Sequence, residues 1–160
     1  MAAASSTGMS DLLHETFAMV VPDLQRHCRD RWVLIGSAAA RLIGADVTVA
    51  DVDVLTSVRD AESLIAHWQS HLDGAHAPDG SDHFRSRFAR FHFAGLPVEV
   101  MGGLELSGVH GWQPVQVREI VTVSCGDMAV PVPSLADQIR VLESFGRPKD
   151  QKRAGLLRAL

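Results

Sequence analysis

Apolar residues recur at helical spacing from Asp11 to about Arg29, with Leu13, Phe17, Val20, Val21, Leu24 and Cys28 on one side. Pro22 interrupts this stretch and predicts a kink or two short helices. The pattern then changes. Arg31–Ile35 is a short apolar run that reads as a buried strand, and Ser37–Ile43 reads as a brief helix with Ser37 as its N-cap and Gly44 as its stop. Val47–Leu55 alternates as a strand, and Ala61–Leu72 is amphipathic through Leu64, Ile65, Trp68 and Leu72. Asp73–Asp82 carries Gly, Pro and Asp and predicts a loop. A third strand follows from about Arg85 to Phe93, turns through Ala94–Pro97 and returns as Val98–Met101, a β-hairpin. Gly102–Pro114 reads as irregular, with Gly102-Gly103 a loop signal. Val117–Val123 and Met128–Val132 are two further short strands. Ser134 should cap a helix to about Ser144, and Gly146–Asp150 breaks it before a last helix.

This order of elements describes an α/β (α+β) domain, a small mixed β-sheet flanked by helices. Residues 1–10 are rich in Ala, Ser and Gly and read as a mobile tail, leaving residues 11–160 as a single domain. The tail lacks the basic and long apolar regions of a signal peptide. No apolar run approaches the roughly 18–20 residues that a membrane helix needs. A net charge of −4 argues against a general nucleic-acid-binding surface. Cys28 and Cys125 show no CxxC spacing and suit buried, reduced thiols of a cytoplasmic protein.

The chemistry concentrates in Asp51-Val52-Asp53-Val54. On a strand, Asp51 and Asp53 project to one face while Val52 and Val54 take the other. Two carboxylates held at about 4 Å repel by roughly 4 kcal/mol at an effective dielectric near 20 unless a cation sits between them. A paired-acid strand among apolar, β-branched neighbours therefore predicts a divalent metal site. Oxygen-only ligands favour Mg2+ or Mn2+ over zinc.

A hydrophobic strand ending in Gly36-Ser37, then Asp51-Val52-Asp53 on the next strand, then Glu99 in Val98-Glu99-Val100, resembles the signature of the nucleotidyltransferase superfamily, the polymerase-β-like fold. Val132-Pro133-Ser134-Leu135 and Arg147-Pro148-Lys149-Asp150 are similar to the closing segments of its small single-domain prokaryotic members. The resemblance spans nearly the whole chain from Asp11. It departs from the common pattern in having Glu99 where Asp is more usual, and no separate acceptor-binding domain follows.

The resemblance implies a metal-dependent transfer of a nucleoside monophosphate from a triphosphate such as ATP to a hydroxyl or phosphate acceptor, with release of pyrophosphate. Asp51, Asp53 and Glu99 would bind the metal, with Glu99 also a candidate general base. Gly36 and Ser37 would receive the triphosphate. Arg41, one helical turn beyond Ser37, either faces the phosphates or pairs with Asp46. Arg87 and Arg85 are candidates to neutralise triphosphate or acceptor charge, with a solvated strand edge as the alternative. Arg147 and Lys149 either reach the site or serve the start of the last helix. Acceptors among small members include antibiotics, protein side chains and tRNA ends. The competing view is a non-catalytic module, a nucleotide sensor or partner-binding protein that kept the fold. His67 and His71 sit one turn apart, with His76 and His83 nearby, but the sequence lacks a zincin pattern. His92, Trp68 and Trp112 read as packing residues.

Overall fold

The computed structural model describes residues 6–77 and 83–160, so part of the expected Asp73–Asp82 loop and residues 1–5 of the tail lie outside the described residues. Helix α1 (Ser6–His27) begins within the stretch assigned to the tail, and Met9 is already buried. The helix runs through Pro22 without dividing. The carbonyl that loses a partner there belongs to Ala18, an exposed residue whose backbone water can reach. Strand β1 (Val33–Ile35) leads into α2 (Gly36–Leu42), then β2 (Val52–Thr56) and α3 (Val58–His67). The second strand is shorter than its alternation predicts, because Val47–Ala50 does not pair.

The helix expected to reach Leu72 ends at His67, and past a 3-10 turn Leu72–His76 forms β3 where a loop was expected from Asp73, pairing antiparallel with β4 (Phe84–Phe91). The predicted hairpin joins β4 to β5 (Val98–Gly108), and β6 (Gly111–Pro114) folds back on β5. Gly102 and Gly103 are therefore strand residues and not loop. A Cβ at Gly102 would lie 2.6 Å from Ala61 Cβ and 2.8 Å from the Ser57 carbonyl, so the glycine lets α3 sit directly on the sheet. A separate hairpin, β7 (Ile120–Cys125) and β8 (Met128–Pro133), precedes α4 (Leu135–Phe145) and α5 (Pro148–Arg158).

The main sheet runs β1-β2-β5-β4-β3, with β6 beside β5, and β2/β5 is its parallel pair. Alternation divides its two faces. Val52, Val54, Val98, Val100, Ala89 and Phe91 are buried against Leu13, Phe17, Val20 and Leu24 of α1 and Leu64 and Trp68 of α3. Fully burying each such side chain contributes on the order of 1.5–3 kcal/mol, so this face is the core that fixes strand register. Asp53, Glu99 and Met101 take the opposite face, where α4 and α5 close over one end.

The helix boundaries follow their caps. Ser57 and Ser134 accept hydrogen bonds from the amides of Asp60 and Asp137, and Gly146 ends α4 in the left-handed conformation. Among the described residues, no helix is long and apolar enough to cross a membrane. Cys28 and Cys125 are free and half-buried, less enclosed than expected, and burial pushes the Cys28 thiol up to about 12.

Candidate active site

Strand register assembles the acids. In the parallel β2/β5 pair Asp53 lies opposite Glu99, and Asp51 precedes Val52 on the same face as Asp53. Carboxylate oxygens of Asp51, Asp53 and Glu99 all lie within 4.8 Å of one another. Burial first, then repulsion from Asp51 and Glu99, pushes the Asp53 carboxyl up to about 8. Burial and the adjoining Asp51 also raise Glu99, against the opposing pull of Arg90. Such a cluster lacks positive charge at its centre. An all-oxygen set of three carboxylates fits a hard divalent cation of the Mg2+ or Mn2+ kind.

Gly36 stands over this cluster. Antiparallel β1/β2 pairing sets Ile35 opposite Asp53, and the chain then turns at Gly36 with φ +71°. A Cβ there would lie 2.5 Å from Asp53 Oδ2, so a side chain is excluded both by backbone conformation and by the carboxylate. Ser37 is buried inside the first turn of α2 and does not cap it. The N-cap is Ile35, whose apolar side chain makes no capping hydrogen bond to the first amides of the helix.

These residues line a cleft of about 480 Å³, a volume within the range of small-molecule sites. Its other wall carries Phe145, Arg147, Lys149 and Arg153 from the α4–α5 region, with Phe84, Arg85 and Phe88 from β4. Lys149 and Arg153 line the same cleft and pull electrostatically against the raised Asp53.

The structure separates the other basic residues. Arg87 is absent from the cleft lining, and its Nε lies 3.7 Å from Glu62 Oε1 on α3. A register shift between Arg85 and Arg87 places the two differently. Arg85 does line the cleft, held by Glu105 at 2.8 Å and stacked 4.4 Å from the centre of the Trp112 ring. Arg41 is also outside the cleft and donates to the Val47 carbonyl at 3.0 Å. Arg147 makes a two-pronged pair with buried Asp150, at 2.6 and 3.0 Å, and its backbone N–H donates to the same carboxylate at 3.3 Å, which fixes the start of α5.

Two further cations, Arg90, which the sequence clusters with Arg85 and Arg87 around the third strand, and Arg153, were given no role at the acids from sequence. Arg90, paired across the strands with Glu99, puts Nη1 3.3 Å from Glu99 Oε2 and 3.8 Å from Asp51 Oδ2. Arg153 lies one turn beyond Lys149 on α5, an i,i+4 spacing that was the available signal.

The histidines considered together do not meet. His71 Nδ1 lies 3.2 Å from the His92 carbonyl, His76 stacks on Phe88, and His83 Nε2 is 3.1 Å from the Phe145 carbonyl. His67 turns instead toward Asp23, and His92 pairs with Asp73 at 2.9 Å.

A mixed sheet with acid-x-acid at the start of one strand, a third acid on its parallel neighbour and a Gly-Ser turn beside them is the nucleotidyltransferase fold. Solved structures share it. The chain superposes on a candidate nucleotidyltransferase from Thermotoga maritima with a TM-score of 0.72 and 24% identity, covering 91% of this chain and 92% of that one. The lincosamide antibiotic adenylyltransferase LnuA, solved with lincomycin bound, matches with a TM-score of 0.58 at 12% identity, over 91% of this chain and 96% of that one. An antigenic nucleotidyltransferase-like protein from Paracoccidioides brasiliensis matches at 0.54 and 15% identity, over 94% of this chain and 74% of that one. No family model and no curated protein matches the chain by sequence.

Proposed function

We propose that this chain is a metal-dependent nucleotidyltransferase, acting in the cytoplasm as a single domain. It moves a nucleoside monophosphate from a nucleoside triphosphate to an acceptor hydroxyl or phosphate. The observation that carries the proposal is the three-carboxylate cluster beneath Gly36, facing Lys149 and Arg153 across the cleft. Three carboxylates held this close in a partly buried cleft, with only Arg90 among the described residues beside two of them, disfavour folding, so their presence in a ligand-sized cleft supports a role for charge. Asp51, Asp53 and Glu99 would hold Mg2+ or Mn2+, which when bound neutralises phosphate charge and stabilises the attacking and leaving oxygens.

The chain's own residues supply the rest. Gly36 leaves room for the polyphosphate, and Ser37 with the uncapped amides of α2 offers donors. Lys149 and Arg153 balance the triphosphate's negative charge, and Arg85 can reach it from β4. Glu99, its carboxyl raised by burial, accepts the proton of an acceptor hydroxyl. The acceptor oxygen bonds to the α-phosphorus as the bond from that phosphorus to the bridging oxygen breaks, and pyrophosphate leaves. The shared fold with an antibiotic adenylyltransferase makes small hydroxylated molecules the first acceptors to screen, ahead of protein side chains and tRNA ends. The acidic balance of the chain weighs against tRNA.

Calorimetric titration of ATP, GTP, CTP and UTP with and without Mg2+ tests the reading. Binding of at least one triphosphate should require Mg2+ and vanish in Asp51→Asn/Asp53→Asn. No binding by the native chain, or binding that survives both substitutions, refutes it.

A further inference from the structure

Away from the cleft, α1 and α3 bring a second set of ligating side chains together. Asp23 and His27 stand one turn apart on α1, and His67 faces them from α3. One ligand atom from each lies within 4.8 Å of the other two, and none of the three lines the cleft. We propose that Asp23, His27 and His67 form a metal site for a divalent transition ion of the zinc class, joining the C-terminal ends of the two helices.

Four observations converge on it. His67 Nε2 and Asp23 Oδ2 are 3.5 Å apart. Ligands bound tetrahedrally at about 2.0–2.1 Å from zinc lie roughly 3.3–3.4 Å from each other, so this pair already has the spacing of two ligands on one ion.

His27 Nε2 is buried and has no hydrogen-bond partner, a condition few native buried nitrogens show. The His27 and His67 rings nevertheless approach to 3.8 Å at an interplanar angle of 37°, two imidazoles drawn together without a polar link between them. An ion pair between His67 and Asp23 accounts for those two residues and leaves the His27 nitrogen unmet. A shared cation satisfies all three.

Asp23 is also held in place. The indole N–H of Trp68, a core residue, donates to Asp23 Oδ2 at 2.9 Å, the kind of outer contact that fixes a ligating carboxylate. Finally, His27 and His67 are the last residues of α1 and α3, so two negative helix ends point at the site and favour a cation there.

The donor set gives the ion class. Two imidazole nitrogens and one carboxylate suit zinc and its neighbours, whereas the all-oxygen cluster of the cleft suits Mg2+. His67 is 40% exposed in its side chain, which leaves water access for a fourth ligand. The ion would act as a clamp between the helices that cover the main core.

Cobalt titration of the full chain, followed by displacement with Zn2+, tests the site through strong visible absorption, which four-coordinate cobalt gives and an ion held by the all-oxygen cluster of the cleft does not. The native chain should take up one equivalent of Co2+ with the absorption of four-coordinate, nitrogen-ligated cobalt. His67→Ala and His27→Gln should each weaken uptake by more than about tenfold. His67 is exposed, so its variant should fold as the native chain does, and circular dichroism without metal checks this. Asp53→Asn and His92→Ala should retain the equivalent. Absence of Co2+ uptake by the native chain overturns the proposal. So does uptake that survives both histidine substitutions, or uptake that disappears with Asp53→Asn.

Discussion

Replacing Asp53 with asparagine should stabilise the metal-free protein, and by an amount that depends on pH. The Asp53 carboxyl, ordinarily near 3.8, is pushed up to about 8 by burial and by its acidic neighbours. Between about 4 and about 8 it is protonated in the fold and ionised in the unfolded chain. The unfolded state then binds fewer protons, so stability falls as pH rises through this window and levels off above it. At 1.36 kcal/mol per pH unit the full span is about 6 kcal/mol, a ceiling. Water in the open cleft screens it, and we expect about 2–3 kcal/mol. Asparagine keeps the shape and removes the charge. In EDTA, thermal unfolding of Asp53→Asn at pH 8.5 should therefore exceed the native midpoint by about 5–10 °C. At pH 5 the two proteins should differ by less than about 1 kcal/mol, because the native group is protonated there at little expense.

Magnesium supplies the second arm. At ten times its dissociation constant it should add about 1.4 kcal/mol to the native protein at pH 8.5 and almost nothing to the variant. Parallel pH profiles for the two proteins would refute the assignment of the raised group to Asp53. Equal stabilisation by Mg2+ would show that the ion binds somewhere other than the cluster.

Three further outcomes follow from the same geometry. Gly36→Ala places a Cβ 2.5 Å from Asp53 Oδ2 at a φ of +71°, and should lower stability by about 1–3 kcal/mol in urea unfolding and weaken Mg2+ binding. Lys149→Ala and Arg153→Ala should each reduce triphosphate affinity several-fold in calorimetry, whereas Arg87→Ala, facing Glu62, should leave it within about twofold. Asp150→Asn leaves Arg147 without its two-pronged partner at a nearly inaccessible position, and should cost about 1–3 kcal/mol in thermal unfolding.

The alternation of Val52, Asp53 and Val54 made the sheet's two faces legible before any coordinates, because a side chain in a strand has just two directions to take. The turn residues Ala94–Pro97 marked the β4–β5 hairpin, and ordinary helix start and stop signals marked Ser134 and Gly146. Such local signals failed where they are overridden from outside. Leu72–His76 has the Gly and Asp of a loop, yet forms a strand because the exposed edge of β4 accepts it. Gly102-Gly103 looked like a break, yet continues β5 because α3 needs a place without side chains to lie on. Ser6–Ser10 looked like a tail because residues 1–10 are rich in Ala, Ser and Gly, yet Met9 is buried in the core.

The site divides along the same line. Acids were legible because their positions are set by strand alternation, a two-residue rule that a neighbouring valine reports. Cations were less so, because arginine and lysine reach a cleft through long side chains whose direction depends on bulges and partners far away in sequence. The register shift between Arg85 and Arg87 illustrates this: it keeps Arg85 in the cleft, while Arg87 meets Glu62 on α3. Arg90 was hidden for a different reason. Its place beside Glu99 follows from cross-strand pairing, and only once the hairpin register is known does it meet the acids. Its guanidinium, at 3.3 Å from Glu99 and 3.8 Å from Asp51, occupies the side of the cluster where positive charge is needed. A metal ion entering the cluster must share these carboxylates with Arg90. Arg90→Gln should therefore tighten Mg2+ binding in the absence of nucleotide, by up to about fivefold for a partly exposed pair. Calorimetry on the metal alone reads this directly, and a variant that binds Mg2+ more weakly than the native chain would show that Arg90 positions Glu99 for the ion and does not compete with it.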